Sequence, residues 1–225
     1  MDTRRSQWVE RKVSIARQLN GGECGADYAE AVMVLSAAIS ALAAELWPGK
    51  QKDRARFVEV VVQYSPQSLD VTRLSLPLLV GSLAQDQSKN EEAVLKENFL
   101  RFDPSRVLTG DEVDRPESEV LSLCPTLTTK FLRQFSYANL LYEEVRSAYV
   151  HQYSTGRRAD SWPMTLQAGA SISYVNWVND PDRHIYFHLE WFARVAIEIA
   201  KSIDLASPSF PCSDPNAWWI HGTAP

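Results

Sequence analysis

The feature that most constrains the fold is an apolar stripe in the N-terminal part of this 225-residue chain. Five apolar residues follow one another at alternating steps of three and four, which is the period of one helix face. They are Val32, Leu35, Ile39, Leu42 and Leu46. A continuous apolar face has to be buried against other elements, so the stripe predicts a core helix that packs on its neighbours.

The same segment carries the signals that begin and end a helix. Asp27 occupies an N-cap position, Glu30 completes a capping box with it, and Pro48-Gly49 ends the helix. The apolar run is short for a membrane span and polar residues interrupt it. We therefore interpret it as a buried helix and expect no membrane partner.

Composition and charge indicate a globular protein with one main domain. The chain is 45% hydrophobic and carries a net charge of −5, which argues against a broadly basic nucleic-acid binder. Its cysteines, Cys24, Cys124 and Cys212, are scattered and form no CxxC pair, as is typical of reduced thiols. The first 25 residues are charged and lack the apolar core of a signal peptide. We expect a cytoplasmic location.

Helical periodicity recurs along most of the chain. The further predicted helices are Ser6–Leu19, a segment from 52 or 53 to Tyr64, Glu91–Leu100, a long helix from 125 or 126 to Ser154, and Leu189–Leu205. Leu74–Leu83 contains Pro77 and Gly81 and is predicted to be irregular or a short helix. The long helix is expected to break near Ser136 and to end at Gly156.

These elements predict an all-α, up-and-down helical bundle over residues 1–205, with a small C-terminal β-hairpin. The hairpin is predicted over 171–187, where apolar and polar residues alternate on either side of a turn sequence. Residues 101–116 contain two prolines and many charges, and are predicted to be a surface loop or insertion. Residues 206–225 are predicted to be an extended tail, in which Trp218-Trp219 docks either on the domain or on a partner.

The strongest functional signal is the sequence R-x4-H-x-Y near the end of the long helix. Arg146, His151 and Tyr153 place a permanent cation, a proton-transfer group and a phenol within eight residues. Arginine binds phosphate and imidazole moves protons, so the set suits phosphate chemistry. Arg157 and Arg158 follow with no acid between Val145 and Ala159. They form either part of a basic site or an ordinary solvated turn.

Helix geometry predicts that Arg146 and His151 point in different directions. Five residues separate them by about 7.5 Å along the axis and about 140° around it. Two such helices that met at a two-fold axis would bring both pairs into one cleft, which favours a composite homodimer site. The alternative is a surface arginine, paired with Glu143 one turn away, and a half-buried histidine without catalytic function.

The segment from Leu140 to Tyr153 resembles the conserved helix of the HEPN superfamily of small helical ribonucleases, which carries Arg-x4-6-His near its end. Tyr153 matches the R-x4-H-x-Y form of HEPN toxins that are paired with minimal nucleotidyltransferase antitoxins. The segments Ala31–Trp47 and Asp53–Val58 resemble bacterial HEPN proteins more loosely. Ser147 departs from the pattern, because active members commonly have Asn, Asp or His after the arginine.

This resemblance implies a homodimeric endoribonuclease that needs no metal or other cofactor and acts as a toxin or anti-phage effector. The ribose 2′-hydroxyl would attack the adjacent phosphate while His151 transfers the proton and Arg146 stabilises the phosphate oxygens. Ser147, Arg157 and Arg158 would support RNA binding. Tyr153 would position RNA or accept a regulatory nucleotidyl group from an antitoxin. The implied partners are RNA, a second copy, and a cognate antitoxin or activating defence protein.

Two alternatives stay open at this point. The chain is an inactive HEPN-like module that binds nucleotide, RNA or protein, or His184 and His188 hold zinc with a nearby acid. The second needs the two histidines on one helix, whereas the segment around them is strand-like. No GxSxG, P-loop or GxGxxG sequence is present.

Overall fold

The structure of the protein is a computed structural model, and it describes residues 4–49, 53–86, 88–99, 106–161, 171–176, 182–206, 215–219 and 221. The fold is mostly helical, with a small three-stranded antiparallel sheet. The helices are α1 Arg5–Asn20, α2 Tyr28–Leu46, α3 Asp53–Tyr64, α4 Leu76–Gln85, α5 Lys89–Phe99, α6 Gly110–Val113, α7 Glu117–Leu123, α8 Thr129–Leu132, α9 Tyr137–Leu140, α10 Ala148–Gln152 and α11 Leu189–Leu205. The strands are β1 Leu108–Thr109, β2 Ile172–Asn176 and β3 Arg183–Phe187.

Helix α2 is the central element and packs against α1, α3 and α11. The predicted capping box between Asp27 and Glu30 is present, and the predicted apolar stripe is buried from Val32 to Leu42. Among the described residues, α2 is the helix that is long and apolar enough to cross a membrane, and half of that stretch is buried inside the protein. The prediction of a core helix is confirmed.

The predicted hairpin is also confirmed. Strands β2 and β3 pair antiparallel, from Ile172 opposite Phe187 to Asn176 opposite Arg183. The predicted turn spans 179–182, of which 179–181 lie outside the described residues. The sequence analysis did not predict the third strand, β1, which pairs with β2 through Leu108 and Tyr174.

A surface loop or insertion is predicted over 101–116, and the surface position is wrong for residues 108–110, 113 and 114, which are buried. Residues 106, 111, 112 and 116 are exposed, and 101–105 lie outside the described residues. Leu108 and Val113 are fully buried, and Asp114 is 1% exposed. The Asp114 carboxylate accepts hydrogen bonds of 2.5 Å from the hydroxyls of Tyr137 and Tyr174. The segment is internal because it carries a strand of the sheet and the acceptor for these buried hydroxyls.

The same carboxylate also begins α4, because its other oxygen accepts the Leu76 N–H at 2.9 Å. Helix α4 is a regular helix of 10 residues, so of the two predicted forms the short helix is confirmed. Pro77 lies in its first turn, where no intrahelical N–H donor is needed. Gly81 lies inside the helix without ending it.

The predicted long helix from 126 to 154 is divided in two. Ser136 is extended, and its hydroxyl caps a new helix by accepting the Asn139 N–H. From Tyr137 the chain is helical to Gln152, with a π-helical turn over Leu141–Ser147. Its end differs from the prediction, because Tyr153, at φ 53°, takes the left-handed conformation that stops the helix before Gly156.

The C-terminal tryptophans dock on the domain. Trp218 is 2% exposed, and the backbone N–H groups of Trp218 and Trp219 donate to the carboxylate of Glu59, a fully buried residue of α3. The guanidinium of Arg133 lies 4.4 Å from the centre of the Trp218 ring, and that of Arg54 lies 4.5 Å from the Trp219 ring. Cation–π contacts and a buried carboxylate therefore hold this end of the chain in place.

Candidate functional site

A cavity of about 690 Å³ opens between α4, the end of the Tyr137–Gln152 helix, the turn after that helix, and the start of β3. This volume lies within the range of about 300–1,000 Å³ that is typical of small-ligand sites. Four predicted site residues line the cavity, namely Ser147, His151, Arg157 and Arg158. Arg146 and Tyr153 are not part of its lining.

Arg158 is held by two acidic residues of the π-helical turn. Its Nε donates to Glu144 at 2.7 Å and its backbone N–H donates to the same carboxylate at 3.1 Å. Its Nη2 lies 3.3 Å from Glu143. The Glu144 side chain is only 8% exposed, and a carboxylate this buried requires such partners. The positive charge of Arg158 is therefore largely neutralised, and this side chain contributes more to the shape of the cavity than to its net charge.

Gly156 allows the turn to approach the helix this closely. Its N–H donates to the Glu144 carbonyl at 2.8 Å. A Cβ on Gly156 would lie 2.1 Å from Glu144 Oε2 and 3.0 Å from the Glu144 Cα. A larger residue would push the turn away from the helix and displace Arg158.

Arg146 lies on another side of the helix. Its guanidinium forms an ion pair with Asp53 and lies 5.3 Å from the centre of the Tyr142 ring. The predicted pairing of Arg146 with Glu143 is wrong, since Glu143 instead pairs with Arg54 at 2.8 Å. The cause is that α3 brings both Asp53 and Arg54 against this helix.

His151 and Arg157 are two accessible polar groups of the cavity. Both are exposed, and neither has a hydrogen-bond or ion-pair partner among the described residues. Imidazole transfers protons near neutral pH, and a guanidinium without an ion pair can bind an anion directly. The half-buried Ser147 adds a hydroxyl to the same cavity.

The charged residues that line the cavity balance one another, apart from its histidines. They are Arg157, Arg158 and Arg183 on one side, and Glu143, Glu144 and Asp182 on the other. The positive charge predicted for the Arg157-Arg158 segment is therefore confined to the neighbourhood of Arg157. This favours one phosphate group over a long polyanion track.

Tyr153 faces away from the cavity, toward the beginning of α2. Its hydroxyl donates to the carboxylate of Glu30, which also accepts the Asp27 N–H in the capping box. That backbone hydrogen bond lowers the pKa of Glu30. The Tyr153 side chain is otherwise accessible, since the residue is 61% exposed.

The alternative metal site is not assembled. His184 and His188 are four residues apart in extended backbone at and beyond β3, which separates their Cα atoms by about 13 Å. The Nε2 of His188 lies 2.8 Å from the Ser173 hydroxyl, and burial lowers the pKa of this imidazole. In the described part of the chain, no group of three or more His, Cys, Asp or Glu side chains is placed to hold a metal ion. His221, in the tail, donates its backbone N–H to Asn216.

Sequence reasoning missed three features of the site. Asp53 holds Arg146, Glu144 holds Arg158, and α4 forms the wall opposite His151. The pair Glu143-Glu144 beside a run rich in arginine was a signal for the second feature. The others depend on contacts between segments far apart in the sequence, which its periodicity does not encode.

Comparison of the chain with protein-family models, with curated proteins and with solved structures gave no match. The resemblance to HEPN ribonucleases therefore rests on the residues of the sequence itself.

Proposed function

We propose that this protein is a metal-independent endoribonuclease of HEPN-like fold, located in the cytoplasm. The observation that supports it most is His151, an exposed imidazole that shares one cavity with Ser147 and with Arg157, which has no ion-pair partner among the described residues. His151 removes the proton of a ribose 2′-hydroxyl, whose oxygen attacks the adjacent phosphorus as the bond to the 5′-oxygen breaks. The leaving 5′-oxygen takes up a proton from water, and His151 releases the proton that it removed to solvent. The products are a 2′,3′-cyclic phosphate and a 5′-hydroxyl.

Arg146 requires a second copy of the chain in this proposal. The Arg146 guanidinium pairs with Asp53 and is not part of the described lining of the cavity that contains His151, so the proposal takes the arginine from a second copy. A two-fold axis beside the end of the helix would place Arg146 of one copy near His151 of the other. The exposed Tyr153 would then contact RNA, or be modified by a nucleotidyltransferase antitoxin. The cellular role in this proposal is that of a toxin or anti-phage effector.

A second candidate function is a module that binds nucleotide, RNA or a protein partner without cleaving RNA. The observation that favours it is the engagement of Arg146, which Asp53 and the ring of Tyr142 hold on another side of the helix. In this case the cavity binds a phosphate-bearing ligand through Arg157, and the contacts of Arg146 stabilise the fold.

The two candidates differ in what happens to RNA. The ribonuclease should cut a short single-stranded RNA in the presence of a metal chelator and leave 2′,3′-cyclic phosphate ends, which mass spectrometry identifies. An RNA whose 2′-hydroxyls are methylated should remain intact, because the attacking group is blocked. Binding of RNA without any cut would reject the ribonuclease and leave the binding module.

Replacing Asp53 with asparagine separates the two roles of Arg146. The ion pair is partly exposed, so its loss should lower the free energy of unfolding by less than about 1 kcal/mol. If Arg146 acts on the phosphate, Asp53→Asn frees it and cleavage persists or rises, whereas Arg146→Ala removes cleavage. The measurements are cleavage rate and urea unfolding. Equal small losses of stability in both variants, with unchanged cleavage, would show that Arg146 has only a structural role.

A further inference from the structure

The wall of the cavity opposite His151 is one face of α4. Its members recur at helical spacing and differ in character from the charged residues across the cavity. They are Pro77, Leu78, Gly81, Ser82 and Gln85. Leu78 is largely buried and Gln85 is exposed, so this wall is apolar at one end and polar at the other.

Gly81 is the unusual residue of this wall, because the described part of the fold gives no reason for a glycine there. It lies inside a regular helix, where glycine is less favourable than alanine by about 1 kcal/mol. Its φ is not positive, and a Cβ would meet only Asp182 Oδ1, at the ordinary contact distance of 3.9 Å. Among the described residues, neither backbone conformation nor packing requires the missing side chain. Gly81 therefore presents bare backbone to the cavity, with the Asp182 carboxylate beside it.

We propose that the α4 wall at Gly81 is a nucleobase-binding subsite. A planar base lies against the bare backbone of Gly81, and the amide of Gln85 and the hydroxyl of Ser82 bind its polar edge. These two side chains have no hydrogen-bond partner within the described segments, so both are available to a ligand. The proposal deepens the proposed function and rests on it, in that the cavity is taken to bind a phosphorylated nucleoside.

The arrangement of the cavity fits the two ends of a nucleotide. Arg157 and His151 line the cavity and can receive a phosphate, while α4 lines it with the bare backbone of Gly81 and the polar side chains of Ser82 and Gln85. Amide groups recognise bases through paired donor and acceptor contacts. The charged residues balance one another, so affinity has to come from the base as well as from the phosphate.

The experiment compares nucleoside 5′-monophosphates with ribose 5-phosphate, which has the phosphate and the sugar but no base. Titration calorimetry on the full chain should show that at least one of AMP, GMP, CMP and UMP binds about 10-fold more tightly than ribose 5-phosphate. Gly81→Phe fills the subsite and should remove this preference while weak binding of ribose 5-phosphate persists. Gly81→Ala should raise the melting temperature, since it improves the helix.

Ala84→Phe is the matched control, because Ala84 is exposed on the same helix and does not line the cavity. Equal affinity for nucleotides and ribose 5-phosphate, equal effects of the two phenylalanine variants, or no nucleotide binding at millimolar concentration would overturn the subsite. RNA cleavage that Gly81→Phe leaves unchanged would remove the subsite and leave the ribonuclease. Nucleotide preference without any RNA cleavage would remove the ribonuclease and leave the subsite.

Discussion

Replacing His151 with alanine should slow RNA cleavage by at least about 100-fold, because general acid–base catalysis contributes about 10²- to 10⁴-fold. The imidazole is exposed and has no partner in the described part of the chain, so its removal should change stability by less than about 0.5 kcal/mol. The measurement is the single-turnover cleavage rate of a short RNA, with circular dichroism to verify the fold. Gln152→Ala is the control, since Gln152 is the next residue and is also an exposed part of the cavity lining.

A mixing experiment tests the composite site directly. Arg146→Ala and His151→Ala should each be inactive alone. If a site takes Arg146 from one copy and His151 from the other, a mixed dimer contains one intact site. After subunit exchange at equal amounts, activity should return to about a quarter of the wild-type value. Equal rates for His151→Ala and Gln152→Ala, or a mixture as inactive as its components, would contradict the corresponding part of the proposal.

Replacing Asp114 with alanine should produce the largest loss of stability. The substitution removes the acceptor for the Leu76 N–H and for the hydroxyls of Tyr137 and Tyr174. The loss should be about 3 kcal/mol or more, since a buried donor left without an acceptor costs about 1–3 kcal/mol. Asp111→Ala is the control, because this acid lies one turn away, is exposed and forms a surface ion pair with Arg73. It should cost less than about 1 kcal/mol.

Asp114 should also make stability depend on pH. Burial raises the pKa of its carboxyl group from 3.8 to about 7, although the hydrogen bonds from Tyr137, Tyr174 and Leu76 oppose this shift. Between pH 3.8 and about 7, the carboxyl group of Asp114 thus keeps its proton in the folded protein but loses it in the unfolded chain. The contribution of Asp114 to stability is therefore complete below 3.8 and is lost as the pH rises to about 7.

Urea unfolding across this range tests the pH dependence. Asp114→Asn keeps the shape of the side chain and cannot ionise, so its free energy of unfolding should fall less steeply between these pH values than that of the wild type. Parallel pH profiles for the two proteins would show that the carboxyl group titrates normally in the folded state.

The sequence predicts those elements that contain a helical period or a strand alternation over several consecutive residues. Helices α2 and α11 and the β2–β3 hairpin have several turns or an alternation of their own, so their positions are confirmed to within a residue or two. Strand β1 has only two residues and no alternation to detect. Asp114 lies in a charged run that is typical of a surface, and only the approach of Tyr137 and Tyr174 makes it internal.

In the candidate site too, some features follow from the sequence and others depend on contacts between distant segments. The exposure of His151 near a helix end and its different orientation from Arg146 follow from helical geometry. The partners of Arg146 and Arg158 do not, because they depend on how α3 and the turn at Gly156 meet the π-helical turn. Gly81 likewise lines the cavity only because the fold brings α4 near the end of the helix that carries His151.

The docking of the tryptophans makes the burial of Glu59 depend on a segment that is distant in the sequence. Glu59 lies in the first third of the chain, and the backbone donor that meets its carboxylate at Trp218 comes 159 positions later. Burying a carboxylate before its donors arrive is unfavourable. Besides the side chain of Gln63, a neighbour on α3, Glu59 therefore obtains the backbone donors of Trp218 and Trp219 only when these two residues are docked. A variant in which this segment cannot dock should leave the Glu59 face of α3 incompletely satisfied.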